Sequence, residues 1–543
     1  MKIRMILITA ALVTFTLLAG GTGASAQTLS TATSTALAAP TSLVVQVQPG
    51  VNIGAIASQL GFTVTKSLSS TSAGSTYVIS GNGNLAALQQ ALASSSSVAW
   101  VEPNQSFRVS PLDGGETVLP LDGGETVLPL DGGETVLPLG PGYPTVTAST
   151  IQAALKSVLQ TLDGGETVLP LDGGETVLPL SGIQQAYAKV AGLAIGSPAL
   201  ILQPAFGKIG YFGAILKTTG KGMMVVDLDT GADTCHPALA GIYTHNFVSY
   251  EPTDPENCPN ASTVPGNGFG HGTAVASLLR VLAPESNLWV LRVFDSTGTA
   301  DVATVYQATV WAVDHGANII NMSFGATTNS QALQSAIAYA AAHGVLVTAA
   351  AGNSNQNAVM YPAAIQPAIA VASTDINDAK SSFSNYGFAT DVTAPGSQLV
   401  AAYPGSRWAI VWGTSFASPM AAGDGALIGS AWASQFLSAL PLNSMISAVR
   451  YGVDSIALQN PQYVGLLGTG RIDMFKALAM VSPTLAFAPT GSTTTTTSST
   501  PTSTSTSTSS GTTSTSTSSS TTPTSSTSGT ISITTTTTAP STN

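Results

Sequence analysis

Three short segments carry residue types that can do nucleophilic chemistry together. They are Asp229-Thr230-Gly231, His271-Gly272-Thr273 and Gly413-Thr414-Ser415-Phe416-Ala417-Ser418-Pro419, in that order along the chain. A serine hydroxyl is too weakly acidic to attack an amide unaided, so Ser415 needs a base within hydrogen-bond reach. His271 can serve as that base and then return the proton to a leaving amine, while Asp229 can hold the imidazole in one tautomer and stabilise its charged form. Each segment alone is weak, since Asp-Thr-Gly also marks proteases that use two aspartates and His-Gly-Thr is an ordinary turn. The order of the three with these flanks is far more specific.

The surrounding pattern supplies elements to hold them. Apolar runs at Met223 to Leu228, Leu288 to Phe294, Ile319 to Phe324, Val345 to Ala349 and Ile369 to Ala372 alternate with amphipathic stretches at Val302 to His315 and Ser330 to His343. This alternation predicts an α/β fold, a mostly parallel sheet with helices on both faces. Reacting groups in such sheets gather at the carboxyl ends of the strands. Asp229 follows the first run, and Gly325 and Asn353 follow two others. The Ala-rich stretch from Phe416 to Ala431 reads as a helix, which puts Ser415 at its N-terminus, where the backbone dipole favours developing negative charge.

In residues and order, these segments resemble the subtilisin family of serine proteases. The resemblance implies a secreted serine endopeptidase acting through an acyl-enzyme, with polypeptides as substrates. It further implies that Asn353, in Ala349-Ala350-Ala351-Gly352-Asn353-Ser354, donates to the tetrahedral oxyanion, and that Ser323-Phe324-Gly325 pairs through its backbone with an extended substrate. The residues aligned with the primary specificity pocket contain no acid, so cleavage after basic residues is not expected. Met360 stands before Tyr361-Pro362 where the family often has Gly, which narrows the expected pocket toward small or medium apolar side chains. Catalysis requires no cofactor or metal on this reading. Leu278-Leu279-Arg280-Val281-Leu282-Ala283-Pro284 runs on where many relatives insert a calcium loop, which leaves room for a structural calcium elsewhere without indicating one. A second departure is Asp227, two before Asp229, where the family usually has Val. Residues two apart on a strand point the same way, so the two carboxylates should oppose each other's ionisation.

Six regions follow. Lys2 and Arg4, an apolar run and Ala24-Ser25-Ala26 read as a signal peptide over 1–26, cleaved after Ala26, with a linker over 27–40. Export is therefore expected, with no membrane span after cleavage. Residues 41–108 alternate strand, helix, strand, helix and strand in a small α+β, ferredoxin-like arrangement. Their end, Val98-Ala99-Trp100-Val101-Glu102-Pro103-Asn104, is similar to the end of the family's inhibitory propeptide, which implies a self-processing zymogen whose own propeptide is an intramolecular inhibitor. Residues 109–180 form a linker containing Asp-Gly-Gly-Glu-Thr-Val-Leu-Pro-Leu five times, from Asp113, Asp122, Asp131, Asp163 and Asp172. Five copies with two acids and no base each account for ten of the eleven excess negative charges, so the rest of the chain is nearly neutral and no acidic steering surface is implied. Identical copies point to recent duplication in an exposed connector, and their split around another segment disfavours a stacked solenoid.

The catalytic domain is expected over 181–490, followed by a Ser/Thr-rich tail over 491–543 that cannot bury enough apolar surface to order itself. In an exported chain the two cysteines, Cys235 and Cys258, read as a disulfide. No nucleic-acid partner is expected. An aspartic protease is excluded for want of a second Asp-Thr/Ser-Gly segment, and relatives that use Glu in place of His are disfavoured by His271. The remaining alternative is a catalytically silent or permanently propeptide-blocked chain acting as a binding module.

Overall fold

The computed structural model describes residues 40–81, 83–108, 117–118, 135–139, 189–190, 198–260, 263 and 268–486. The expected signal peptide, nearly all of the linker after it, most of the repeat-bearing linker and the Ser/Thr-rich tail lie outside these residues.

The first module is a four-stranded antiparallel sheet in the order Phe62–Thr71, Gly74–Gly81, Leu43–Val47, Val98–Pro103. Two helices accompany it, Ile53–Leu60 and Leu85–Ala93, started by Asn52 and Asn84, whose side chains accept from backbone N–H groups of the first turn. Every residue of Leu43–Val47 is buried, because both faces of the sheet are covered. Leu43, Val45 and Val47 join Ile53 and Leu92 in the module's own core, whereas Val44, Leu68 and Val78 pack with Tyr306, Val302 and Ala303 of the larger domain. Sequence reading missed the strand Phe62–Thr71. It is a Ser/Thr-rich edge strand whose pairing shifts register twice, so its apolar alternation is broken and resembles a loop.

The larger domain is built on a nine-stranded sheet. Its order is Val453–Asp454, Arg471–Ile472, Val392–Pro395, Ile369–Thr374, Leu346–Ala350, Ile319–Met322, Met224–Asp229, Asn287–Arg292, Tyr243–Asn246, with only the first pair antiparallel. Alternate residues of its strands point to two separate cores. Val225, Val290, Ile319, Leu346 and Val371 pack beneath the helices His271–Leu282 and Thr414–Phe436, while Val226, Leu291, Ile320, Val347 and Ala370 pack beneath Val302–Asp314 and Gln331–Ala342. Burial on both faces explains why the central strands read as largely apolar runs, interrupted only at buried positions such as Asp227, Asn321 and Thr348. Cys235 and Cys258 are bonded to each other, their Cα atoms 5.1 Å apart. Among the described residues no helix is long and apolar enough to cross a membrane.

Candidate active site

Asp229 ends the strand Met224–Asp229, and His271 begins the helix His271–Leu282. Their side chains meet: His271 Nδ1 lies 2.7 Å from Asp229 Oδ1, with both residues at most 2 % exposed. That contact puts the ring proton on Nδ1 and makes Nε2 the basic nitrogen. Thr230 N also donates to Asp229 Oδ1 at 2.6 Å. So close an approach of helix start to strand end needs Gly272, where an added Cβ would lie 2.1 Å from Gly231 O and 3.0 Å from Asp229 Oδ1.

Ser415 is the second residue of the helix Thr414–Phe436 and is 2 % exposed. The chain enters this helix through Gly413 at φ 151°, a conformation open to glycine. The ring of Phe416, next to Ser415, stands 5.5 Å from that of His271. Asn353 is tied to the residue before the serine: its Oδ1 accepts from Thr414 N at 2.8 Å and from Thr414 Oγ1 at 2.9 Å. With the carbonyl end committed there, the NH2 is the end that can donate to a reacting group. Ser323 Oγ donates to Ser415 O at 2.6 Å, binding the turn after the strand Ile319–Met322 to the same helix start.

Met360 lies between two backbone edges. Its N donates to Ala351 O at 2.9 Å, and Tyr361 exchanges bonds with Ala326 at 2.7 and 2.9 Å. Its side chain then rests on Gly325 and Gly352, where an added Cβ would meet Met360 Cβ at 2.8 Å and Sδ at 2.7 Å respectively. Of the sequence-derived substrate residues, Phe324 is 2 % exposed and stacks with Phe107, ring centroids 5.6 Å apart.

Glu256 was not anticipated from sequence. It sits in the loop closed by Cys235–Cys258, a segment with no periodicity or motif to single it out. Buried there, it accepts from Thr230 Oγ1 at 2.5 Å and from Thr273 N and Oγ1 at 3.1 and 2.6 Å, so one carboxyl group braces the residues flanking Asp229 and His271. Burial, and then the neighbouring Asp254, push its pKa up to about 8. The pH consequence is definite. The folded chain keeps this proton to about pH 8 and the unfolded chain only to an ordinary value of 4.5, so the stability it confers is full below that value and is lost as pH rises toward 8. Buried Asp424, raised by burial and then Asp473, has the same sign. The thermal midpoint should therefore fall from pH 5 to pH 8, and by less in Glu256→Gln, at roughly 2–4 °C per kcal/mol for a domain of this size. Calorimetry across that range checks it; equal slopes would sink the assignment.

Among the described residues, the one compact grouping of carboxylate and sulfur atoms outside this centre is Asp233 with Cys235 and Cys258, and its sulfurs are joined to each other.

Residues 220–447 match the model of the Subtilase family. The chain is similar to Thermitase of Thermoactinomyces vulgaris, 36% identical over 271 residues that make up 48% of this chain and 89% of that one. It is also similar to Subtilisin Savinase of Lederbergia lenta, 39% identical over 219 residues, 39% of this chain and 77% of the relative.

Proposed function

The chain belongs to the subtilase family of serine endopeptidases, and from that premise we propose that Asp229, His271 and Ser415 are its catalytic triad and Asn353 its oxyanion donor. The observation that carries this reading is the 2.7 Å contact of His271 Nδ1 with the buried Asp229 carboxylate at the carboxyl end of a central strand. Ser415 Oγ attacks the scissile carbonyl while His271 Nε2 takes its proton and passes it to the leaving amine. Asp229 stabilises the imidazolium formed in between. The oxygen that gains charge is met by the Asn353 NH2 and by the backbone N–H of Ser415 at the start of the helix Thr414–Phe436. Catalysis in this family needs no cofactor, and the substrates are polypeptides.

Residues 41–108 act as the inhibitory propeptide of an exported zymogen. Contacts with the larger domain support this. Glu102, 7% exposed, accepts from Ser330 Oγ, Gln331 N and Ala332 N at 2.7, 2.7 and 2.9 Å, capping the helix Gln331–Ala342. Asn104 Oδ1 accepts from Ala303 N at 3.1 Å at the start of the helix Val302–Asp314. Beyond them Ser106–Arg108 lies antiparallel on Thr299–Asp301, and Phe107 packs against Phe294 and Phe324. An extended segment added to a strand beside the site is how a peptide substrate is held.

Replacing Glu102 by Ala removes a charged acceptor from three donors, a loss of about 2–3 kcal/mol or roughly 30- to 150-fold in grip. The full chain should then react faster with a serine-directed fluorophosphonate before its linker is cut; unchanged reactivity would count against propeptide blockage. Met360→Gly should deepen the primary pocket and shift preference toward large aromatic side chains by roughly 10- to 200-fold, the range a hydrophobic pocket controls. A peptide-library digest reads this directly, and cleavage after large aromatics by the parent would overturn it.

The reading as a whole is tested by labelling the protein with the fluorophosphonate beside Ser415→Ala and sequencing the N-termini of labelled species. Labelling of a parent form that lacks residues before about 181, with none of the variant, supports both triad and maturation. Labelling of neither sinks the active-enzyme reading and favours the blocked or silent alternative.

A further inference from the structure

The triad uses Asp229 and leaves its buried neighbour Asp227 without a role. Asp227 pairs in register with Asn321 across parallel strands and is 0 % exposed. Asn321 Nδ2 donates to Asp227 Oδ1 at 2.8 Å and to Ser323 Oγ at 2.8 Å. Ser323 Oγ in turn donates to Ser415 O at 2.6 Å. On its other side Asn321 Oδ1 accepts from Ser418 Oγ at 2.7 Å and Thr348 Oγ1 at 3.2 Å. All of these groups are buried, so none can exchange its partner for bulk water.

The hydroxyls of Ser323, Ser418 and Thr348 can each donate or accept, so they do not set the direction of the network. An amide hub has two ends, and its orientation decides whether Ser323 receives a proton or must give one. With Nδ2 toward Ser323, the serine accepts there and its own proton is aimed at Ser415 O. With the amide reversed, Ser323 would donate to Asn321 and its bond to Ser415 would be lost. We propose that Asp227 is a positioning residue for the nucleophile: its carboxyl oxygen accepts from Asn321, keeps that amide with Nδ2 toward Ser323 and so holds Ser323 on the backbone of Ser415.

The surroundings work against charge on this carboxyl. Asp227 Oδ2 is buried with no hydrogen-bond partner, and burial first, then the Asp229 charge, raise the pKa of this carboxyl well above the usual range. The titratable groups that face it are Asp229, His271 and Glu256; Val290, Asn321, Thr348 and Ser418, packed against it or joined through Asn321, carry no charge.

The inference rests on Ser415 being the nucleophile, and the test separates the two. The full chain, Asp227→Val and Asp227→Asn are compared by kcat per fluorophosphonate-labelled site, by KM and by the pH profile of kcat/KM. Asp227→Val should lose about 10- to 100-fold in kcat with KM little changed, the scale of a small displacement of the nucleophile. Asp227→Asn, which can still accept, should stay within about three-fold of the parent and keep its acid limb, because the charge on His271's surroundings is unaltered. Parental kcat in Asp227→Val, or equal damage in both variants, would overturn the proposal. So would an acid limb lowered in Asp227→Asn, which would make Asp227 a charge acting on His271. If the Val variant does not fold, Ser323→Ala carries the same test from the other end, with the same loss expected. A parent that never labels refutes the triad reading instead.

Discussion

His271→Ala should lower kcat by about a million-fold while leaving KM within a few-fold, because base and nucleophile act as one unit in this family. The magnitude follows from what the ring does. Without it the Ser415 hydroxyl keeps its proton, the leaving amine departs unprotonated, and only oxyanion stabilisation and substrate binding remain, worth a residual 10³- to 10⁴-fold over water. Asp229→Asn should cost less, about 10⁴-fold, by presenting the wrong hydrogen-bond partner to Nδ1 and so the wrong tautomer to the serine. That order, with His271 costing more than Asp229, distinguishes a working triad from an incidental ion pair. A peptide substrate followed under single-turnover conditions measures it. Equal and small losses at both positions would mean that the 2.7 Å contact is structural.

The candidate site was legible because each of its proposed residues lies in a segment whose local conformation is itself encoded. Asp229 ends an apolar run, His271 and Ser415 open helices behind glycines, and Asn353 follows the strand Leu346–Ala350. The central strands were equally plain, since burial on both faces leaves them mostly apolar. What escaped was held by long-range contact alone. Glu256 reaches the centre from a disulfide-closed loop whose sequence carries no period, and its partners Thr230 and Thr273 are known only once the loop is folded. The short strands Val392–Pro395 and Arg471–Ile472 extend the sheet through few residues and had no run to announce them. Asp227 was visible as an exception to a family pattern, yet its link to Ser415 passes through Asn321 on another strand and Ser323 just after it.

The sheet order also gathers the candidate site residues at the carboxyl ends of neighbouring strands. The strands Met224–Asp229, Ile319–Met322 and Leu346–Ala350 are neighbours in the sheet, so Asp229, Ser323 and Asn353 emerge side by side. The two helices that begin with His271 and Thr414 pack on one face of the same sheet and bring His271 and Ser415 to it. The module over 41–108 grips the helices of the opposite face through Glu102 and Asn104, leaving its extended end free to run along Thr299–Asp301. The contacts of this module and the helices that begin with His271 and Thr414 thus lie on separate faces of one sheet.

Asn353→Ala should reduce kcat by about 100- to 1,000-fold with KM nearly unchanged, the cost in this family of losing one side-chain donor to the oxyanion. The split between kcat and KM matters because the donor meets charge that exists only as the carbonyl becomes tetrahedral, so the ground-state complex should be little affected. A structural role predicts something else. Asn353 Oδ1 anchors Thr414 through two bonds, and if that anchoring were its whole contribution, Asn353→Asp would preserve it and restore activity. Asp has no NH2 to donate and would place negative charge beside the developing oxyanion, so the oxyanion reading expects Asn353→Asp to be at least as impaired as Asn353→Ala. Steady-state kinetics of the two variants, normalised to fluorophosphonate-labelled sites, decide between these roles: recovery of activity in Asn353→Asp would leave Asn353 as an anchor for the nucleophile's helix, whereas deeper loss assigns its NH2 to the oxyanion.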